Sequence, residues 1–238
     1  MAKGTLLSII IPCFNEEDGI VSCLDRVSSI KVSGEILVVD DGSKDRTAQV
    51  VQGKIKGPNV SIKLIRLKQN CGKAKAVNYG VEAAKGEIII VHDADMIVQP
   101  ETLERLYWLI KNRQTDVIIG SRFIYPREKG AIRTSNLIGN KLLALSFSFL
   151  MGQRITDALC GLKAFRKKDF LKMRLGQCAW GDLDILIGSR KSGLKLLEIP
   201  IHYFKRKSGV SKMRPFYDTY LFAKQTIKAF FELRIDMF

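Results

Sequence analysis

Three short polar runs, each closing an apolar stretch, hold residue types able to bind a charged ligand. Pro12-Cys13-Phe14-Asn15-Glu16-Glu17 follows residues 6–11, Asp40-Asp41-Gly42-Ser43 follows 35–39, and His92-Asp93-Ala94-Asp95 follows 87–91. Carboxylates gathered on one edge of a chain with formal charge +15 repel one another unless a cation, sugar hydroxyls or a base donor sits between them. If the backbone stays extended, alternation puts Asp93 and Asp95 on one side, offering two hard oxygen ligands to Mg2+ or Mn2+. Such a metal bridges two phosphates and polarises a leaving diphosphate. Taken alone, Asp-x-Asp is a weak motif that an Asx turn explains as well. Asp40 to Ser43 likewise reads either as a turn with a helix cap or as carboxylates for a base or ribose.

Asn70-Cys71-Gly72-Lys73 precedes a helical pattern. Gly72 permits close backbone approach, and Lys73 is positioned to meet phosphate at a helix N-terminus or to be an ordinary solvated lysine. No Walker A loop is present, and no G-x-G-x-x-G follows the first apolar run, which disfavours the common nucleotide-triphosphate and dinucleotide readings.

These loops need a scaffold. Ile- and Val-rich runs at 6–11, 35–39, 62–67, 87–91 and 117–119 predict strands, with helices at 16–29, 45–52, 74–84 and 101–111. The first four strands are nearly continuous in apolar residues, as in a largely parallel sheet covered on both faces. The second half is less regular: helices at 136–150 and 183–191, and a strand at 195–203 containing Pro200. The layout is α/β, mostly parallel, with helices on both faces and ligands expected at the strands' C-terminal edge. No repeat or low-complexity linker divides it.

The positive charge predicts a polyanionic partner without choosing among nucleic acid, anionic lipid and nucleotide diphosphate. Five scattered cysteines, with no Cys-x-x-Cys, suggest reduced thiols and a cytoplasmic setting. The first apolar run ends in Pro12 and polar residues, so it reads as a strand rather than a signal peptide. The longest apolar tract, 142–151, falls short of the roughly 20 residues that span a bilayer.

In order, Pro12-Cys13-Phe14-Asn15-Glu16, Val39-Asp40-Asp41-Gly42-Ser43-Lys44-Asp45-Arg46-Thr47, Asn70-Cys71-Gly72-Lys73, Asp93-Ala94-Asp95 and Gly120-Ser121-Arg122 resemble family 2 glycosyltransferases of the glycosyltransferase-A (Rossmann-like) fold. The likeness continues through residues 157–165, 180–186 and 199–212, where it is most similar to polyprenyl-phosphate (dolichyl-phosphate) mannose and glucose synthases. The resemblance implies a catalytic domain over 1–215, with a nucleotide-sugar half at 1–98 and an acceptor half at 99–215. It also implies inverting transfer of a hexose from GDP-mannose or UDP-glucose to a polyprenyl or dolichyl phosphate.

On that resemblance Pro12, Phe14, Glu16, Val39 and Asp41 hold base and ribose, with Lys73 also in the donor site. Asp93, Ala94 and Asp95 hold metal and diphosphate, Arg122, Arg206 and Lys212 meet phosphate oxygens, and Arg133 meets the lipid phosphate. Phe14 stands where the family usually has Tyr, keeping the ring and losing a hydroxyl. Ile97 stands where mannose synthases often place Gln, leaving one metal position to water. A lipid phosphate is already ionised at neutral pH and needs no protein base. The obstacle is repulsion between two anions, which basic residues in the second half offset.

Residues 216–238 mix Phe216, Tyr217, Tyr220, Phe222, Ile227, Phe230 and Phe231 with Lys224 and Lys228, predicting an amphipathic helix. It suits a membrane interface, the protein's own core or a partner subunit. Peripheral attachment to the cytoplasmic face of a membrane follows from the lipid-phosphate reading, with a membrane protein as a further candidate partner. Competing readings are a glycosyltransferase acting on a cell-wall or soluble glycan and, on charge alone, a basic nucleic-acid-binding module. No recognised nucleic-acid motif accompanies the charge, so no nucleic-acid partner is expected.

Overall fold

The computed structural model describes residues 7–54, 59–126, 134–173, 181–202 and 215–235. Its seven strands are β1 (Leu7–Cys13), β2 (Gly34–Asp40), β3 (Val60–Arg66), β4 (Ile88–Val91), β5 (Val117–Ser121), β6 (Lys163–Arg166) and β7 (Leu196–Pro200). They form one sheet in the order β3-β2-β1-β4-β6-β5-β7. All pairs are parallel except those of β6, which runs antiparallel to both β4 and β5. The expected α/β architecture is therefore present, with helices on both faces.

Burial explains the apolar runs. Every side chain of β1 and β4 is buried, because α1 (Ile20–Val27) and α4 (Pro100–Lys111) cover one face while α3 (Lys73–Ala83) covers the other. Gly80 of α3 lets that helix approach the sheet: a Cβ there would lie 2.5 Å from a methyl of Ile10. At the opposite edge from the site, Glu35 is buried with three hydrogen bonds, from Ser8 Oγ, Lys63 Nζ and the Lys85 amide. These hold its carboxyl below the ordinary glutamate range although burial alone would raise it.

Four local expectations are corrected. The first helix starts at Ile20 rather than Glu16, because the amides of Gly19 and Ile20 both turn back to the Glu16 carbonyl. α2 (Thr47–Gln52) begins after Asp45, whose carboxylate accepts from the Thr47 amide and hydroxyl before the helix opens. The strand placed at 195–203 ends at Pro200, beyond which the Ile201 amide still donates to the Ser121 carbonyl. Finally, the antiparallel β6 and the short helix α6 (Lys167–Lys172) sit where neither was expected.

The second half supplies α5 (Thr134–Met151), α7 (Asp182–Lys191) and α8 (Pro215–Ile235). α8 packs on α5 and α7, burying Phe222 and Ala229 in the same cluster as Leu143, Phe147 and Met151, and Leu233 is buried as well. Its Gln225 amide donates to Asp184 of α7, and Lys191 pairs with Glu232. One face of the C-terminal helix thus belongs to the core.

Candidate active site

Parallel pairing in register puts Cys13, Asp40 and Arg66 side by side, so the loops after β1, β2 and β3 leave the sheet together. They are laced by backbone-to-side-chain hydrogen bonds. Asn15, with a left-handed φ of 51°, donates its amide to Ser43 Oγ and accepts the Lys44 amide on Oδ1. The Glu16 amide reaches Thr47 Oγ1, and the Glu17 amide reaches Asp45 Oδ2. Asp40 accepts the Ser43 amide and faces Arg66 at 3.5 Å.

Asp41, expected to hold base or ribose, is nearly buried and accepts the amides of Cys71 and Gly72 at 2.7 and 2.8 Å. It fixes the loop that precedes α3. Gly42 has φ +71°, and a Cβ on it would strike the Gln69 carbonyl carbon at 2.6 Å, so the second and third loops touch through their backbones. Between them opens a groove of about 720 Å3 lined by Phe14, Lys44, Arg66, Lys68, Gln69 and Asn70 among others. A ring at one wall and cations with amides at the other suit a nucleobase and its phosphates. Pro12 and Val39 lie inside paired strands with buried side chains, that of Val39 packed against α3, so neither side chain is placed to touch a ligand.

The acidic pair follows β4. The expected extended backbone is not found: β4 ends at Val91, and a turn closes from the Met96 amide to the Asp93 carbonyl. Burial nonetheless alternates, with Ala94, Met96 and Val98 inside and Asp93, Asp95 and Ile97 partly exposed. Behind the pair His92 is fully buried, its Nδ1 3.7 Å from Cys23 Sγ. Burial takes that imidazole down to about 4, so it is neutral at pH 7.

Asp93 is held from two sides. Lys73 Nζ lies 2.8 Å from its Oδ1, and Gly161, leading into β6, has no side chain to exclude it: a Cβ there would fall 1.8 Å from Oδ2. Lys73 also meets both oxygens of Asp182 at 3.2–3.3 Å, and Lys163 Nζ pairs with the same Asp182. Burial favours the neutral forms of both groups. The Asp182 and Asp93 charges instead hold the Lys73 ammonium well above the lysine range, and Lys73 holds Asp93 below the carboxylate range.

On the other flank, Arg122 leaves β5 and forms a two-pronged pair with buried Asp157, Nε to Oδ2 at 2.6 Å and Nη2 to Oδ1 at 2.8 Å. Asn140 of α5 and the amides of Arg122 and Leu159 donate to the same carboxylate. Glu198 of β7 accepts the amides of Thr156 and Asp157, pinning the loop; burial raises its own carboxyl. Asp157 is thus the anchor of Arg122. Arg133, Arg206 and Lys212 lie outside the described residues. Gly161 and Lys163 lie within the 157–165 stretch that carries the resemblance, where sequence alone assigns them no role of their own, and Glu198 carries no sequence signal.

A mostly parallel sheet, interrupted by one antiparallel strand beside an acidic pair, is the glycosyltransferase-A architecture. It superposes on glucosyl-3-phosphoglycerate synthase from Mycobacterium tuberculosis, solved with Mn2+, UDP and product, at TM-score 0.71 and 20% identity, covering 97% of this chain and 80% of that one. Residues 8–174 match the glycosyl transferase family 2 profile, and the chain belongs to that family of glycosyltransferases. Among its relatives are the dolichyl-phosphate beta-glucosyltransferase of Dictyostelium discoideum, 28% identical over 93% of this chain and 73% of that protein, and the dolichol-phosphate mannosyltransferase of Pyrococcus furiosus, 30% identical over 87% and 59%. The chain therefore spans about three fifths of the mannosyltransferase's length.

Proposed function

We propose that this chain transfers a hexose from GDP-mannose or UDP-glucose to a polyprenyl phosphate, with inversion. The observation that carries the reading is the placement of Asp93 and Asp95 between a base-sized groove on one side and the anchored Arg122 on the other. The relatives named for dolichyl- and dolichol-phosphate transfer support it. The donor set fits a hard divalent cation: two partly exposed carboxylates stand beyond the end of β4, and the bare Gly161 lets the Asp93 carboxylate sit against its backbone. Among the described residues no cluster of three or more His, Cys, Asp or Glu forms a protein-only site, so Asp93 and Asp95 would hold the cation jointly with ligands from outside the protein. Bound there, Mg2+ or Mn2+ neutralises charge that builds on the departing diphosphate.

The acceptor phosphate oxygen attacks the anomeric carbon, the carbon–oxygen bond to the diphosphate breaks, and its electron pair leaves with the nucleoside diphosphate. No proton moves, so the protein contributes orientation and positive charge. Arg122, held rigid by Asp157, supplies that charge, joined by Arg133, Arg206 and Lys212. Purified protein given Mg2+ or Mn2+, a polyprenyl phosphate and a panel of sugar nucleotides should yield a product that partitions into organic solvent. Sugar transferred only to a water-soluble acceptor would replace this reading.

The acceptor implies a membrane surface. α5 exposes Ile138, Leu142, Leu145 and Phe149, and α8, packed beside it, exposes Tyr220, Ile227 and Phe231, with Lys141 and Lys224 nearby. No helix among the described residues is long and apolar enough to cross a membrane. An apolar face with basic neighbours suits the headgroup region of an anionic leaflet. The protein should co-sediment with phosphatidylglycerol liposomes at low salt, and the double substitution Leu145→Glu/Phe149→Glu should reduce that binding at least about tenfold. Equal sedimentation of the two proteins would refute attachment through this face.

A further inference from the structure

Four charged side chains alternate in sign through the interior: Asp93, Lys73, Asp182 and Lys163. They come from the end of β4, the start of α3, the start of α7 and the start of β6. Lys163 is 2% exposed and also donates to the Cys160 carbonyl, so it stays with Asp182. Lys73 is the shared member. It makes its shortest contact with Asp93, at 2.8 Å, and a looser two-oxygen contact with Asp182. Gly181, in the left-handed region before α7, brings that helix against α3: a Cβ there would meet Ala74 Cα at 3.2 Å. The two partners of Lys73 are therefore fixed relative to each other.

Resting on the donor-site reading above, we infer that Lys73 is a built-in counter-ion that occupies Asp93 in the absence of metal and is retained by Asp182 when a divalent cation takes Asp93. The energetics follow from burial. Without Lys73, Asp93 would lose its paired cation and Asp182 would keep Lys163, leaving a net negative charge across two largely enclosed carboxylates, which is costly. A divalent cation on Asp93 repels the ammonium beside it, and the repulsion is tolerable only because Asp182 still pairs with Lys73. Lys73 therefore opposes metal binding, and Asp182 lowers that opposition. Released from Asp93 but still charged, Lys73 then faces the side from which the diphosphate arrives.

Opposite signs at two touching residues make the test. Mn2+ binding to the full chain without nucleotide is measured by the electron paramagnetic resonance of free Mn2+. Lys73→Gln should tighten Mn2+ at least about fivefold, and Asp182→Asn should weaken it by a similar factor. Lys73→Arg should stay near wild type, and Lys75→Gln, an exposed lysine on the same helix, should change little. Without metal, Lys73→Gln should also melt below wild type and recover on adding Mn2+. Changes of the same sign at 73 and 182, or none, overturn the inference; should Lys73→Gln fail to fold, Lys73→Met serves for the same comparison. Asp95→Asn separates the two layers. If it abolishes Mn2+ binding while 73 and 182 show no opposed effects, only the counter-ion role fails, whereas unchanged binding in Asp95→Asn removes the metal site itself.

Discussion

Asp95→Ala should lower kcat/KM for sugar transfer by about 10³-fold with little change in melting temperature. Asp95 is partly exposed in the turn beyond β4, so its loss removes no side chain from the core. The diphosphate would leave without its metal contact, and nothing in the first three loops replaces a carboxylate there. Asp93→Ala should match it in activity. Its folding should also survive, since Lys73 keeps Asp182 as partner. Chelation of the wild type should reproduce the loss, and added Mn2+ should restore wild type but neither variant. Transfer that persists after Asp95→Ala, or in excess chelator, would defeat the assignment of the pair.

The second large effect falls on folding. Asp157→Ala should destabilise the chain by about 3–5 kcal/mol, because it strands the Arg122 guanidinium and the Asn140 amide in a buried setting. Burial alone would raise the Asp157 carboxyl, but Arg122 outweighs it and holds the group below its ordinary value. A carboxyl depressed in the folded state contributes stability above its unfolded value of about 3.9 and loses it as pH falls through the folded one. Wild type should therefore lose stability steeply below about pH 4, and the variant should lack that component. Chemical denaturation across pH 2–7 reads both effects. A variant as stable as wild type at neutral pH would show that the pair is not an anchor.

The first half of this molecule is legible in its sequence for a physical reason. Parallel strands covered on both faces need runs such as Ile9-Ile10-Ile11 and Ile88-Ile89-Ile90-Val91, and polar residues can collect only where the runs stop. That rule points to Asp41, Asp93 and Asp95, and all three lie just beyond the ends of β2 and β4. It does not point to the partners, since Asp41 spends its oxygens on amides 30 and 31 residues away and Arg122 meets a carboxylate 35 residues on. Spacing along a chain carries no trace of such pairings. β6 was invisible because Lys-Ala-Phe-Arg is neither an apolar run nor an alternation, and its first residue is a lysine that Asp182 and the Cys160 carbonyl make tolerable inside. Gly161 matters for what it lacks, which no pattern of side chains can announce.

The reversed direction of β6 has one more consequence, for modularity. Because β6 comes late in the chain yet lies against β4, everything up to residue 98 can assemble only as a sheet ending in the bare Ile88-Ile89-Ile90-Val91 edge. Such an edge invites pairing with another chain. Residues 1–98 should therefore resist transplantation as a free-standing cassette. During synthesis, the strand that seals it emerges some seventy residues after the edge it covers, along with the glycine that seats Asp93 and shortly before the carboxylate that balances Lys73.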